Sequence, residues 1–153
     1  MAADGVHVLE CTQIVARPLD EVFAFFADAL NLEAITPPFL RFRILTPRPI
    51  PMAPGTLIDY RLRLFGVPFR WRTRIERFEP GVGFVDAQLR GPYRLWHHTH
   101  AFEATAAGTR VRDVVRYALP LGPLGTLAHA VTVRRTLDDI FAFRRRRIEE
   151  IFA

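Results

Sequence analysis

Between Arg94 and Ala104, Trp96, His98, His100 and Phe102 occupy every second position. In an extended chain that spacing puts all four on one face, and the aromatic ends predict that this face points inward, leaving His97 toward solvent. A second extended stretch, Thr109 to Leu119, alternates Val111, Asp113, Val115 and Tyr117 against Arg110, Arg112 and Arg116. One carboxylate therefore sits on an otherwise apolar face. With a turn at Ala106-Ala107, Thr105 pairs with Gly108. Counting outward then sets Phe102 against Val111, His100 against Asp113, His98 against Val115 and Trp96 against Tyr117.

A buried imidazole beside a carboxylate has three uses. The carboxylate can hold His100 in one tautomer and raise its basicity, making a general base. The pair can anchor a ligand hydroxyl or carbonyl in an apolar pocket. The plainest alternative is that two buried polar groups satisfy each other. His98, His100 and Asp113 also match the composition of a two-histidine, one-carboxylate metal site. A His-x-His strand is thin evidence alone, so no metal and no other cofactor is expected. His129, early in the last helical stretch, is a further candidate for the pocket mouth; its ordinary alternative is a boundary position.

Other chemistries are excluded by residue type. The chain holds no lysine and no serine, which removes a lysine Schiff base and a serine nucleophile. Cys11 is the only cysteine, so neither an intrachain disulfide nor a multi-thiolate zinc site can form. Its expected role is that of a small apolar strand residue. The net charge of +5 comes from arginine alone, and such charge favours acidic partners. The Arg144-Arg145-Arg146-Arg147 run lies near a helix C-terminus, where cations complement the dipole, and Glu149 and Glu150 follow it.

The elements that must position these residues follow from periodicity. Residues 6 to 16 form a first strand ending before Pro18. From Pro18 to Ala29, Leu19, Val22, Phe23 and Phe26 recur at helical spacing, with Asp20 and Glu21 at the positive dipole end. A second helical piece, NLEAI, stops at Thr36-Pro37-Pro38, and strand two runs from Leu40 to Thr46. Strand three turns Ile58, Tyr60, Leu62 and Leu64 to one face. Strand four does the same with Val67, Phe69, Trp71 and Ile75, after a two-residue turn at Phe65-Gly66. That register sets Asp59 opposite Arg72 and Arg61 opposite Arg70. Strand five spans Val82 to Arg90. A final helix of about 27 residues reaches Ile151, with Leu127, Val133, Leu137, Phe141, Ile148 and Phe152 as inward positions.

One strand, two short helices, six strands and one long helix is an order that resembles the START and birch-pollen-allergen-like superfamily, also called SRPBCC or polyketide cyclase/dehydrase-like. The stretches RPLDEVFAFFADALNLEAITPPF, GTLIDYRLRLFGVPFRWRTRIERFEP and GPYRLWHHTHAFE resemble a bacterial branch of ligand-binding members. The resemblance implies an α+β helix-grip fold, in which a curved antiparallel sheet of about seven strands wraps a long C-terminal helix. It also implies an elongated cavity between them, used across the superfamily for lipids, polyketides, quinones and plant hormones. It does not imply one chemistry.

A single domain over 1–153 is therefore expected to bind an apolar or amphipathic small molecule, such as a lipid, isoprenoid, quinone or polyketide. Its walls would be Tyr60, Phe69, Trp71, Trp96, His98, His100, Phe102, Asp113, Tyr117, Leu137 and Phe141. A binding role is favoured over catalysis. The enzymatic alternative is a cyclase, dehydratase or isomerase using His100 with Asp113; a third reading is a basic module for anionic membrane or nucleic acid. The expected partner is the hydrophobic ligand, without nucleic acid or stable membrane insertion. With no leader or ~20-residue apolar run in view, the expected location is the cytoplasm.

Overall fold

A computed structural model describes residues 5–153. Seven strands form one antiparallel sheet in the order β1-β7-β6-β5-β4-β3-β2. They are β1 (His7–Val15), β2 (Arg43–Ile44), β3 (Leu57–Leu64), β4 (Val67–Glu79), β5 (Gly83–Arg90), β6 (Leu95–Thr105) and β7 (Gly108–Ala118). Each neighbour from β3 to β7 is joined by a short turn, and β1 closes against β7 with His7 opposite Tyr117. At the β3–β4 turn Phe65 and Gly66 both take positive φ, 52° and 77°. Those angles suit the twist of a two-residue hairpin. Two register shifts in β4, at Arg72/Thr73 and Ile75/Arg77, bend the sheet.

The pairings read from the sequence hold along β6 and β7, including His100 opposite Asp113 and Trp96 opposite Tyr117. Asp59 faces Arg72, and Arg61 faces Arg70, as alternation requires. Strand two is shorter than the expected Leu40 to Thr46. Pro38–Leu40 forms a 3-10 turn, and Arg41 takes left-handed φ, so only Arg43 and Ile44 pair with β3.

Between β1 and β2, α1 (Leu19–Phe26) buries Val22, Phe23 and Phe26. The NLEAI piece is a 3-10 helix, Ala29–Ile35, opened by the Asp28 side chain accepting from the Leu30 N–H. The last helical run comprises α2 (Gly122–Ala128), a π-helical turn (His129–Val133) and α3 (Arg134–Ile151). This arrangement is the helix-grip fold: the sheet curls around α3, which buries Leu137, Phe141, Arg144 and Ile148. Their spacing is one helical stripe.

Two expected inward positions lie outside. Leu127 is 61% exposed, because α2 turns its leucines away from the sheet, and Val67, at the tip of the β3–β4 hairpin, is 52% exposed. Arg144, read from the sequence as part of a cationic run complementing the helix C-terminus, is buried. No described helix is long and apolar enough to cross a membrane.

The core has two apolar clusters. One gathers Tyr60, Trp71, Tyr93, Tyr117, Leu137 and Phe141 around the middle of the sheet. The other packs Phe23, Phe26, Phe84, Phe102 and Ile148 toward the carboxyl end of α3. The polar residues of interest lie between them.

Candidate functional site

Three adjacent strands and α3 bring five ionisable side chains into one place. Asp86 comes from β5, His98 and His100 from β6, Asp113 from β7 and Arg144 from α3. Across the ladders Asp86 pairs with His98, and Asp113 pairs with His100. Each carboxylate nevertheless makes its short contact with the diagonal histidine. Asp113 Oδ1 lies 2.8 Å from His98 Nε2, and Asp86 Oδ2 lies 2.5 Å from His100 Nε2. Diagonal side chains on one sheet face are within reach of long groups.

The remaining nitrogens point the other way round. His100 Nδ1 is 3.3 Å from Asp113 Oδ1 without hydrogen-bonding alignment, and His98 Nδ1 is 3.9 Å from Asp86 Oδ2. The two imidazoles stack with centroids 3.7 Å apart, and His100 also lies on the Phe84 ring at 4.2 Å. Arg144 donates to Asp113 Oδ1 at 3.3 Å, sits over the Phe26 and Phe141 rings and leaves its Nε without a partner.

Burial alone would raise the Asp113 carboxyl, but Arg144 and the His100 and His98 contacts outweigh it and hold Asp113 well below the usual carboxylate range. Burial likewise opposes ionised Asp86, and its bond to His100 reverses the balance downward. The histidines are driven apart. Burial and the adjacent His100 push His98 down, whereas the two carboxylates overcome burial and push His100 up. His100 is thus the histidine that holds a second proton more readily. Neutral His98, bonded to Asp113 through Nε2, leaves its Nδ1 lone pair free.

A cavity of about 160 Å³ opens beside this cluster, between sheet and α3. Asp86, His98, His100 and Arg144 form its polar side; Tyr60, Trp71, Trp96, Leu137 and Phe141 are among its apolar walls. Seven of the eleven wall residues expected from sequence line it. The other four sit elsewhere. Phe69 faces a neighbouring hollow of about 200 Å³ beneath Leu121 and Leu124, which shares Leu64 and Tyr93 with the main cavity. Phe102 packs against Phe23 and Phe26 in the second cluster. Asp113 stands behind the histidines and lines a separate hollow toward β1 with Cys11 and Gln13. Tyr117 lies under Trp96, its hydroxyl 2.7 Å from His129 Nε2. His129 stacks on His7 at 3.6 Å and is not a wall of the cavity.

Sequence reasoning missed Asp86, Thr73, Tyr93 and Arg144. Asp86 had a signal, since it alternates with Phe84 on β5. Arg144 had a stronger one, because positions 137, 141, 144 and 148 form one stripe; its place among four arginines disguised it. Thr73 completes the inward face of β4 and accepts from the Trp71 indole N–H at 3.0 Å. Tyr93 precedes β6, and its neighbouring Gly91-Pro92 reads as a turn.

Comparison with known proteins adds a family. A model described as polyketide cyclase / dehydrase and lipid transport matches residues 15–141. No curated protein matches in sequence. Among solved structures, protein CV1439 from Chromobacterium violaceum superposes with TM-score 0.73 at 13% identity, covering 95% of this chain and 97% of that one. The di-domain ARO/CYC StfQ of the steffimycin biosynthetic pathway gives TM-score 0.73 at 18% identity, over 97% of this chain and 51% of that one. Ara h 8.0201 gives TM-score 0.62 at 16% identity, over 94% and 98%. At these identities the likeness establishes the fold.

Proposed function

The chain belongs to the polyketide cyclase / dehydrase and lipid transport family, and from that premise we propose that it binds an apolar or amphipathic small molecule of the lipid, isoprenoid, quinone or polyketide kind in the cavity between sheet and α3. The observation that carries this reading is one cavity with two characters: aromatic and aliphatic walls, with Asp86, His98, His100 and Arg144 gathered on one side. Such a division suits a ligand with a long apolar body and a single oxygen-bearing end. Burial of the apolar body supplies the affinity, at roughly 25 cal/mol per Å² before ordering costs. The polar end takes its orientation from the cluster.

A second reading, a cyclase, dehydratase or isomerase, draws on the split between the histidines. A group that holds a proton beside one that does not is the arrangement acid–base catalysis needs. In that reading His100 with Asp86, rather than with Asp113, hands the proton to a bound carbonyl.

Native mass spectrometry of the purified protein tests the first reading. A co-purifying lipid, isoprenoid or polyketide is expected, displaced in Ile140→Trp, whose larger ring enters the cavity from α3. Turnover by wild type that is abolished in both His100→Gln and Asp86→Asn, with ligand retained, would favour the second.

A further inference from the structure

We propose that Asp86, His98 and His100 form a binding site for a divalent first-row transition-metal ion that opens into the apolar cavity. The inference deepens the binding reading of the same cavity by assigning what its polar side holds. The three side chains each offer one ligand atom, all within 4.8 Å of one another. Those atoms are Asp86 Oδ2, His98 Nδ1 and His100 Nε2, because the other nitrogens of both histidines are turned to Asp113.

The separations fit a cation. Two ligands at about 2.0–2.1 Å from a tetrahedral ion stand about 3.3 Å apart. The observed 2.5 Å from Asp86 Oδ2 to His100 Nε2 and 3.9 Å to His98 Nδ1 lie on either side of that value. The three atoms lie within 4.8 Å of one another, and turning the His98 ring out of its stack on His100 is the movement that directs both nitrogens to a common ion. Two imidazoles and one carboxylate form a donor set for zinc, iron, cobalt, nickel or copper rather than for magnesium or calcium, which prefer all-oxygen sites.

The surroundings are those of a metal centre as well. Histidine ligands ordinarily donate their far N–H to a carboxylate, which fixes tautomer and orientation. Asp113 Oδ1 serves both histidines here, 2.8 Å from His98 Nε2 and 3.3 Å from His100 Nδ1, and Arg144 neutralises it from behind. His100 Nδ1 is buried without a hydrogen bond as it stands. With Nε2 on a metal, Nδ1 carries the proton and donates it to Asp113, so that occupation of the site satisfies an orphaned group. Asp86 neutralises half of a dication. The balance and the vacant coordination positions call for an oxygen donor from the cavity, and an enolate, phenolate or carboxylate on an otherwise apolar ligand matches both.

Zinc or cobalt(II) alone, titrated into chelator-treated protein by calorimetry and visible absorption, tests the site. Expected are one ion per chain, a raised Tm, and cobalt bands of a four- or five-coordinate nitrogen–oxygen centre. Asp86→Asn and His100→Gln should weaken binding at least 100-fold, and Asp113→Asn by about 10- to 100-fold. His7→Gln with His129→Gln, which removes the stacked surface pair, should leave it unchanged. X-ray absorption of the cobalt-loaded wild type should show two imidazoles, a readout independent of whether the cluster variants fold. Absence of binding, a cobalt centre without two imidazoles, or loss of binding in the His7 and His129 variant would each overturn the proposal. Because no apolar ligand is added in these measurements and the readout is the ion itself, their failure leaves the cavity reading standing, and absence of a co-purifying ligand leaves the metal site standing.

Discussion

Asp113 bonds His98 at 2.8 Å although its partner across the β6–β7 ladder is His100. Asp86 likewise bonds the diagonal His100 at 2.5 Å, so the cluster joins two carboxylates and two imidazoles rather than being the isolated pair that register alone describes. Arg144 is the group that lets a second carboxylate remain ionised in this apolar setting.

Arg144→Met should therefore be severely destabilising. It strands the Asp113 charge, and breaking a buried pair from one side costs about 3–5 kcal/mol. Adding Asp113→Asn removes that charge while keeping an oxygen for His98, and should recover more than half of the loss. Urea denaturation of wild type, single and double variants measures both effects. A loss below about 1 kcal/mol in the single variant would show that Asp113 simply takes up a proton or water.

The pH dependence of stability in chelator-treated protein should follow the four shifted groups. Asp113 and Asp86 are held below their unfolded value of about 3.9, so their contribution is complete above that pH and disappears as pH falls through their folded values. Lowered His98 contributes above about pH 6.5 and loses this as pH falls through its folded value. Raised His100 does the opposite: its contribution is full below about pH 6.5 and is lost as pH rises through its folded value. Thermal melts of wild type and His100→Gln should thus differ most below neutrality, and the acid limb below about pH 4 should be shallower in Asp113→Asn.

Gly83 sets how closely β5 approaches β6. A Cβ there would stand 2.3 Å from the His100 carbonyl oxygen, a backbone atom that cannot turn aside. Gly83→Ala should cost about 1–3 kcal/mol and push Asp86 away from His100. Calorimetric melting gives the first effect; loss of the low-field proton resonance of the His100–Asp86 hydrogen bond gives the second. Retention of that resonance in a destabilised variant would separate strand spacing from the geometry of the cluster.

Much of this was legible in the chain because a strand's side-chain period is two, and a short turn at Ala106-Ala107 then dictates every partner along β6 and β7. The inward turn of His98, His100 and Asp113 followed from that alone. What lay beyond it was contact across diagonals and between layers. Whether Asp113 reaches His98 or His100 depends on rotamers. That Asp86 joins them depends on β5 lying beside β6. Arg144 was hidden for a different reason: a run of four arginines near a helix C-terminus reads as one set of charges serving the dipole, whereas the helix rotates each residue by a hundred degrees and points one of the four inward. Leu127 failed in the opposite sense, since α2 does not share the orientation of α3.

The π-helical turn between α2 and α3 has a mechanical consequence. There the hydrogen bonds span five residues, as from the Arg134 N–H to the His129 carbonyl, and interrupt the α-helical ladder between α2 and α3. α2 exposes Leu124 and Leu127, with Leu121 exposed just before it, and buries Gly125 as its own packing residue. The run is therefore expected to open as two units. Amides of α2 should exchange with deuterium through local openings far cheaper than global unfolding, while those around Leu137 to Ile148 wait for the sheet itself to open. Such an opening of α2 would uncover the hollow that Phe69, Leu119 and Val133 line beneath it, while the strands and the charged cluster keep their native packing.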